Sequence, residues 1–102
     1  MAEFIKALAT TELPAGKAAA VEVNGKKVAV FNVDGTFYAM DDTCTHRGGP
    51  LSEGQVDGTV VTCPWHGAEF DLTSGQPLGP PAPRGVTNFE VKVEGKDVMV
   101  KV

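Results

Sequence analysis

At 102 residues the chain is one domain, long enough for a modest core and too short for a substrate cavity beside a separate cofactor domain. Its net charge of -4, with no basic run and no interleaving of basic and aromatic residues, excludes a nucleic-acid surface and favours partners with basic docking faces. The opening residues, Met1 to Lys6, carry an early acid and a very short apolar run, so no secretory signal is expected. No apolar stretch is long enough for a bilayer, and the expected setting is cytoplasmic, without membrane contact.

Taken in chain order, the predicted elements are strands. Thr10 to Ala15 hints at one helical turn, kept short by Pro14 and Gly16. Lys17 to Val23 and Lys26 to Val33 flank Asn24-Gly25, a dipeptide that accepts positive φ and so favours a tight hairpin turn. Asp34-Gly35 then returns the chain into Thr36 to Met40, which makes a meander running into Cys44. From about residue 43 to 84 the composition shifts to Gly and Pro, with strands expected only at Thr59 to Thr62 and Glu69 to Leu72. Near the end, Phe89, Val91 and Val93 alternate with polar neighbours, as do Val98, Val100 and Val102 across Glu94 to Asp97, predicting a hairpin with one buried face. The fold class is therefore all-β: an antiparallel β-sandwich base (about 1–42 and 85–102) into which a subdomain (about 43–84) is inserted.

Both cysteines and both histidines of the chain fall in that inserted segment, as Cys44-Thr45-His46 and Cys63-Pro64-Trp65-His66, with sixteen residues between His46 and Cys63. Scattered core residues have no reason to assemble into two matched pairs, each followed by glycine, so the pattern points to one four-ligand metal site. Two thiolates and two imidazoles also suit tetrahedral zinc. A structural zinc site, however, usually takes its cysteines from one knuckle and its histidines from a separate turn, whereas here each loop supplies one of each. With both cysteines in the site, none remains for a disulfide, which fits a reducing compartment.

The run C-T-H-R-G-G-P-L and, after the sixteen intervening residues, C-P-W-H-G-A-E-F-D resembles the Rieske iron-sulfur motif, C-x-H then C-x2-H, and the likeness extends over essentially the whole chain. The resemblance implies a Rieske-type 2Fe-2S cluster, with Cys44 and Cys63 on one iron and His46 and His66 on the other. Two ferric irons, two sulfides and two thiolates sum to zero charge when the remaining ligands are neutral imidazoles. An electron therefore enters more easily than in a four-thiolate cluster. Gly48, Gly49 and Gly67 would bring backbone N–H groups to the sulfurs, while Gly54, Gly58 and Gly75 read as ordinary turn glycines. The resemblance also implies that Gly79 to Pro83 form a stiff wall over the cluster, and Trp65 is expected to pack inward. Asp41 and Asp42, just before the first loop, read as turn formers and not as an acid pair.

Within that family, the respiratory and photosynthetic branch carries an extra cysteine in each ligand loop and hydroxyl side chains against the sulfurs. Here Gly49 and Trp65 stand for the cysteines, and Ala68 and Phe70 for the serine and tyrosine. With those donors missing, the potential is expected near the low end of the Rieske range, roughly -150 mV. The chain is most similar to the small soluble ferredoxins of bacterial aromatic-ring dioxygenase systems. That likeness implies a monomeric one-electron shuttle between a flavoprotein ferredoxin reductase and a terminal oxygenase, with no catalytic residues of its own. Two alternatives stand beside it: a Rieske-like small subunit of a multi-subunit enzyme such as cytosolic nitrite reductase, and a zinc-stabilised binding module.

Overall fold

A computed structural model describes residues 4–43, 50–64, 67–78 and 85–101. Ten strands lie in them: β1 (Phe4–Ala9), β2 (Ala18–Val23), β3 (Lys26–Val33), β4 (Thr36–Asp41), β5 (Gln55–Asp57), β6 (Val60–Thr62), β7 (Glu69–Asp71), β8 (Asn88–Phe89), β9 (Val91–Glu94) and β10 (Asp97–Lys101). They make three antiparallel sheets, ordered β1-β10-β9, β2-β3-β4-β8 and β5-β6-β7. The third sheet takes its strands only from residues 55–71.

The four-stranded sheet is apolar on both faces, and this decides the layering. Along β3, Val28 and Val30 join Ala39, Leu8, Val98 and Val100 in one core layer, against the β1-β10-β9 sheet. Ala29 and Phe31 point the other way and join Met40, Leu51, Val61, Cys63, Ala68, Phe70 and Leu72, against the third sheet. Successive side chains of a strand face opposite sides, so a strand covered on both reads as the unbroken run Val28 to Phe31. The third sheet thus rests on the same strands that hold the base together.

The expected meander is present. Its turns place Asn24 and Gly25 at φ 52° and 79°, and Asp34 and Gly35 at 51° and 91°, the left-handed pairs that a tight two-residue hairpin requires. The helical turn expected over Thr10 to Ala15 is a single 3-10 turn, Thr10–Glu12, whose Glu12 carboxylate accepts the Ala9 N–H at 2.8 Å. Behind it, the buried Asn32 donates to the Leu13 carbonyl at 2.7 Å and accepts the Gly35 N–H at 2.8 Å, tying that turn to the β3–β4 hairpin.

Three differences from the sequence reading have physical causes. β1 carries no clear alternation because its register slips between Lys6 and Leu8: Ile5 faces Val100 and Leu8 faces Val98, so inward residues are three apart instead of two. β5 has one apolar residue, Val56, and exists because β6 supplies its hydrogen bonds. Val93, expected on the buried face, is 47% exposed; its strand β9 forms the sheet's edge and has β10 alone beside it. The opposite strand keeps the expected pattern, with Val98 and Val100 fully buried; Val102 lies outside the described residues.

Candidate metal centre

The first Cys-His segment follows the end of β4, where three consecutive residues are tied down. Asp41 donates its N–H to the Thr87 carbonyl (2.8 Å), and its carboxylate accepts the Thr43 N–H (3.0 Å), the local turn expected of it. Asp42 does more. Its N–H reaches the Lys27 carbonyl at 3.2 Å, its own carbonyl accepts the Leu51 N–H at 2.8 Å, and its buried carboxylate accepts the Ser52 N–H at 2.7 Å. Thr43 and Pro50 then form an antiparallel bridge, so the residues on either side of the segment 44–49 are paired with each other. Asp42 is the residue that sequence reasoning undervalued, since a partner ten positions away leaves no local signal.

The second loop is the connection between β6 and β7. Val61 and Thr62 pair with Phe70 and Glu69, and the Cys63 N–H closes the loop on the Ala68 carbonyl at 2.6 Å. Gly67 turns it at φ 75°, in the left-handed region where a side chain is strained. Cys63 is 2% exposed, in the same apolar layer as Leu51, Val61, Ala68 and Phe70. Leu51 directly follows the Thr43–Pro50 bridge, so the feet of both loops share one patch of core.

Beyond β7 the chain folds back beside it. Phe70 bridges Pro77, the Leu78 N–H reaches the Glu69 carbonyl at 2.9 Å, and the Val86 N–H reaches the Gly75 carbonyl at 2.8 Å. The Asp71 carboxyl is held below its ordinary value by the Thr73 hydroxyl at 2.7 Å and the Thr73 N–H at 2.8 Å. Both ends of the proline-rich segment are thus anchored to the β7 hairpin. The segment itself, Gly79 to Pro83, lies outside the described residues, as do Cys44, His46, Gly48, Gly49, Trp65 and His66.

The glycines expected to be plain turn formers are not alike. Gly58, at φ 62° with open space around it, is one. Gly75, at φ 78°, also needs its missing side chain, because a Cβ there would run into the Val86 carbonyl oxygen. Gly54 has an ordinary φ of -74° and ends the 3-10 turn Leu51–Glu53. A Cβ on it would collide with the Thr62 carbonyl oxygen, so close approach, not turning, is what excludes a side chain there.

The donor set fits an iron-sulfur centre. One Cys-x-His run is strung between the paired residues Thr43 and Pro50, one Cys-x2-His run starts at a buried cysteine in a pinched hairpin, and the two loops rise from adjoining feet. Were Cys63 a ligand of such a centre, the apolar residues around it would keep water from its thiolate, which is one way a protein sets a potential.

Comparison with known proteins agrees. The family model described as Rieske [2Fe-2S] domain matches residues 3–90. The biphenyl dioxygenase ferredoxin subunit of Pseudomonas sp. (strain KKS102) is 42% identical over 95% of this chain and 90% of its own length. The naphthalene 1,2-dioxygenase system ferredoxin component of Pseudomonas aeruginosa is 37% identical over 96% and 94%. Among solved structures, a chain of the complex of reduced oxygenase and oxidized ferredoxin in carbazole 1,9a-dioxygenase superposes with a TM-score of 0.89, at 37% identity over 96% of this chain and 92% of that one. Matched by the family model over most of its length and by such relatives over about nineteen-twentieths of it, this chain belongs to the Rieske [2Fe-2S] domain family.

Proposed function

We propose that this chain carries single electrons from a flavoprotein ferredoxin reductase to the terminal oxygenase of an aromatic-ring dioxygenase system, with Cys44, His46, Cys63 and His66 as the four ligands of its cluster. The observation that carries the reading is the convergence of the two loop feet, at Thr43–Pro50 and at Cys63–Ala68, on one buried patch. When bound, a Rieske-type 2Fe-2S cluster supplies a one-electron acceptor whose two imidazole ligands raise its potential above that of a four-thiolate centre. The chain's own residues hold and shield it: Asp42 fixes the first loop to the base, Ala68 closes the second, and Leu51, Val61 and Phe70 floor the site with apolar surface. The chain acts as an electron-transfer component and leaves catalysis to the oxygenase.

Charge distribution supports a partner with a basic face. Between Lys27 and Lys92 two basic residues, Arg47 and Arg84, stand against eight acids, of which Glu53, Asp57 and Glu69 on and beside the third sheet are exposed. Leu78, hydrogen-bonded beside Glu69, is 51% exposed and offers the apolar contact that a transient interface buries first. Among the described residues no helix is long and apolar enough to cross a membrane. A cytoplasmic monomer completes the proposal, resting on the assignment of both cysteines to the cluster. The reductase-subunit and zinc-module alternatives draw less support from the relatives found.

Reconstitution tests it. The purified protein should hold two irons and two acid-labile sulfides per chain, and product formation by an oxygenase should depend on adding it together with a reductase. Cys63→Ser should abolish both. A colourless zinc protein, or oxygenase turnover indifferent to its addition, would sink the proposal.

A further inference from the structure

We infer that Gly54 is a positioning residue for the metal centre: its bare Cα lets the turn after the Thr43–Pro50 bridge lie directly on the Thr62 carbonyl and so sets the spacing of that bridge from Cys63. The inference rests on the assignment of the two loops to one cluster.

Glycine is not needed at this position for its backbone freedom. Gly54 sits at φ -74° and ψ 167°, extended backbone that any residue adopts, and its N–H makes the ordinary turn bond to the Leu51 carbonyl at 2.9 Å. On backbone grounds alanine would be the better choice, because it loses less conformational entropy on folding. What forbids it is the neighbourhood. A Cβ here would meet the Thr62 carbonyl oxygen inside any real contact distance, with the Leu51 carbonyl oxygen at 3.0 Å and Val61 Cγ2 at 3.1 Å. The first obstacle is backbone of a paired strand and cannot rotate aside.

The two sides of that contact lead straight to the two ligand loops. On one side, Leu51 and Ser52 are bonded to Asp42 and follow the Thr43–Pro50 bridge. On the other, Thr62 is held by its partners Gln55 and Glu69 and is followed at once by Cys63, whose N–H is fixed to Ala68. A wedge at Gly54 therefore displaces one foot relative to the other, and the elements to which both are clamped cannot absorb the movement locally. Gly58, one hairpin turn away in the same sheet, has open space around it and no such consequence.

The test compares Gly54→Ala with Val98→Ala, which opens a cavity in the core layer on the far face of the central sheet. Both variants should melt below wild type. Only Gly54→Ala should shift the g values of the reduced protein and move its midpoint potential, and it should retain less iron per chain after the same anaerobic gel filtration. Wild-type spectra and potential in Gly54→Ala, with only a lowered melting point, would overturn the inference and leave the cluster assignment standing; a wild-type protein without two irons would overturn both. If Gly54→Ala yields no folded protein, Gln55→Gly, at an exposed position outside the apolar floor, loosens the pairing that presses this turn onto Thr62. Shifted g values in that variant support the inference, and unchanged ones overturn it.

Discussion

Replacing Asp42 by alanine tests whether the first loop is held by one side chain. Asp42 is 5% exposed and its carboxylate accepts the Ser52 N–H at 2.7 Å, a short bond to a charged acceptor. Hydrogen bonds of that kind contribute about 1.5–3 kcal/mol. Because Ser52 is only half-buried, water can recover part of the loss at its amide, which places the expected cost near the lower end, about 2 kcal/mol. For a domain of this size each kcal/mol lowers the melting midpoint by about 4–8 °C, so Asp42→Ala should melt roughly 8–16 °C below wild type. Asp42→Asn keeps an oxygen acceptor without the charge and should lose roughly half as much, since charge assistance about doubles such a bond. Ser52→Ala keeps the donating N–H and should match wild type. Thermal scans by circular dichroism at one fixed scan rate, followed alongside visible absorbance, measure all three. An Asp42→Ala midpoint within two or three degrees of wild type would refute the clamp, as would a Ser52→Ala loss equal to that of Asp42→Ala.

Changing His46 or His66 to Cys should lower the reduction potential in variants that assemble a cluster, because a thiolate adds negative charge where the electron arrives; an unchanged potential and EPR spectrum would remove that histidine from the ligand set. Ala68→Ser and Phe70→Tyr should raise the potential, together by about 100 mV: each restored donor adds about 1–1.5 kcal/mol of preference for the reduced state, and 1.4 kcal/mol is 59 mV for one electron. Phe70 is fully buried, so a tyrosine hydroxyl that found no partner would appear as lost stability with no potential shift. Thr73→Ala should raise the Asp71 carboxyl back toward its ordinary value of 3.8, because the Thr73 hydroxyl is the larger cause of the depression. A depressed acid contributes stability that is present above its unfolded value and lost as pH falls through the folded one, so the variant's acid-side stability curve should be flatter; carbon-detected NMR titration of the Asp71 side chain checks the shift directly. Association with either redox partner should slow as salt is added, and stopped-flow rates independent of ionic strength would contradict docking through the exposed acids of the third sheet.

Covalent chemistry and local backbone preference are readable along a chain, and those are what the sequence by itself determined. Two Cys-His pairs at fixed spacing name a metal centre because only four residues of the right donor types exist, and their pairing has no competing use. Asn24-Gly25 and Asp34-Gly35 define their hairpins because few residues other than glycine, asparagine and aspartate tolerate φ near 50–90°, and both turns stand where those dipeptides put them. Val98 and Val100 declare a buried face because a strand's side chains alternate. None of this depends on distant residues.

What tertiary structure alone decided are the features whose cause lies across the fold. The slip in β1 breaks the alternation that would have announced the strand, and it makes sense only against Val98 and Val100 of β10. The unbroken apolar run in β3 marks a strand covered on both faces only once the β1-β10-β9 sheet and the third sheet are seen on either side. Asp42 looks like any turn-forming aspartate until its carboxylate is found on Ser52, ten residues on. Gly54 looks like any turn glycine until the Thr62 carbonyl is found where its side chain would go. Steric exclusion and long-range hydrogen bonds act between residues that the chain brings together only by folding, so a single sequence carries the candidate donors in plain sight and hides the contacts beneath them.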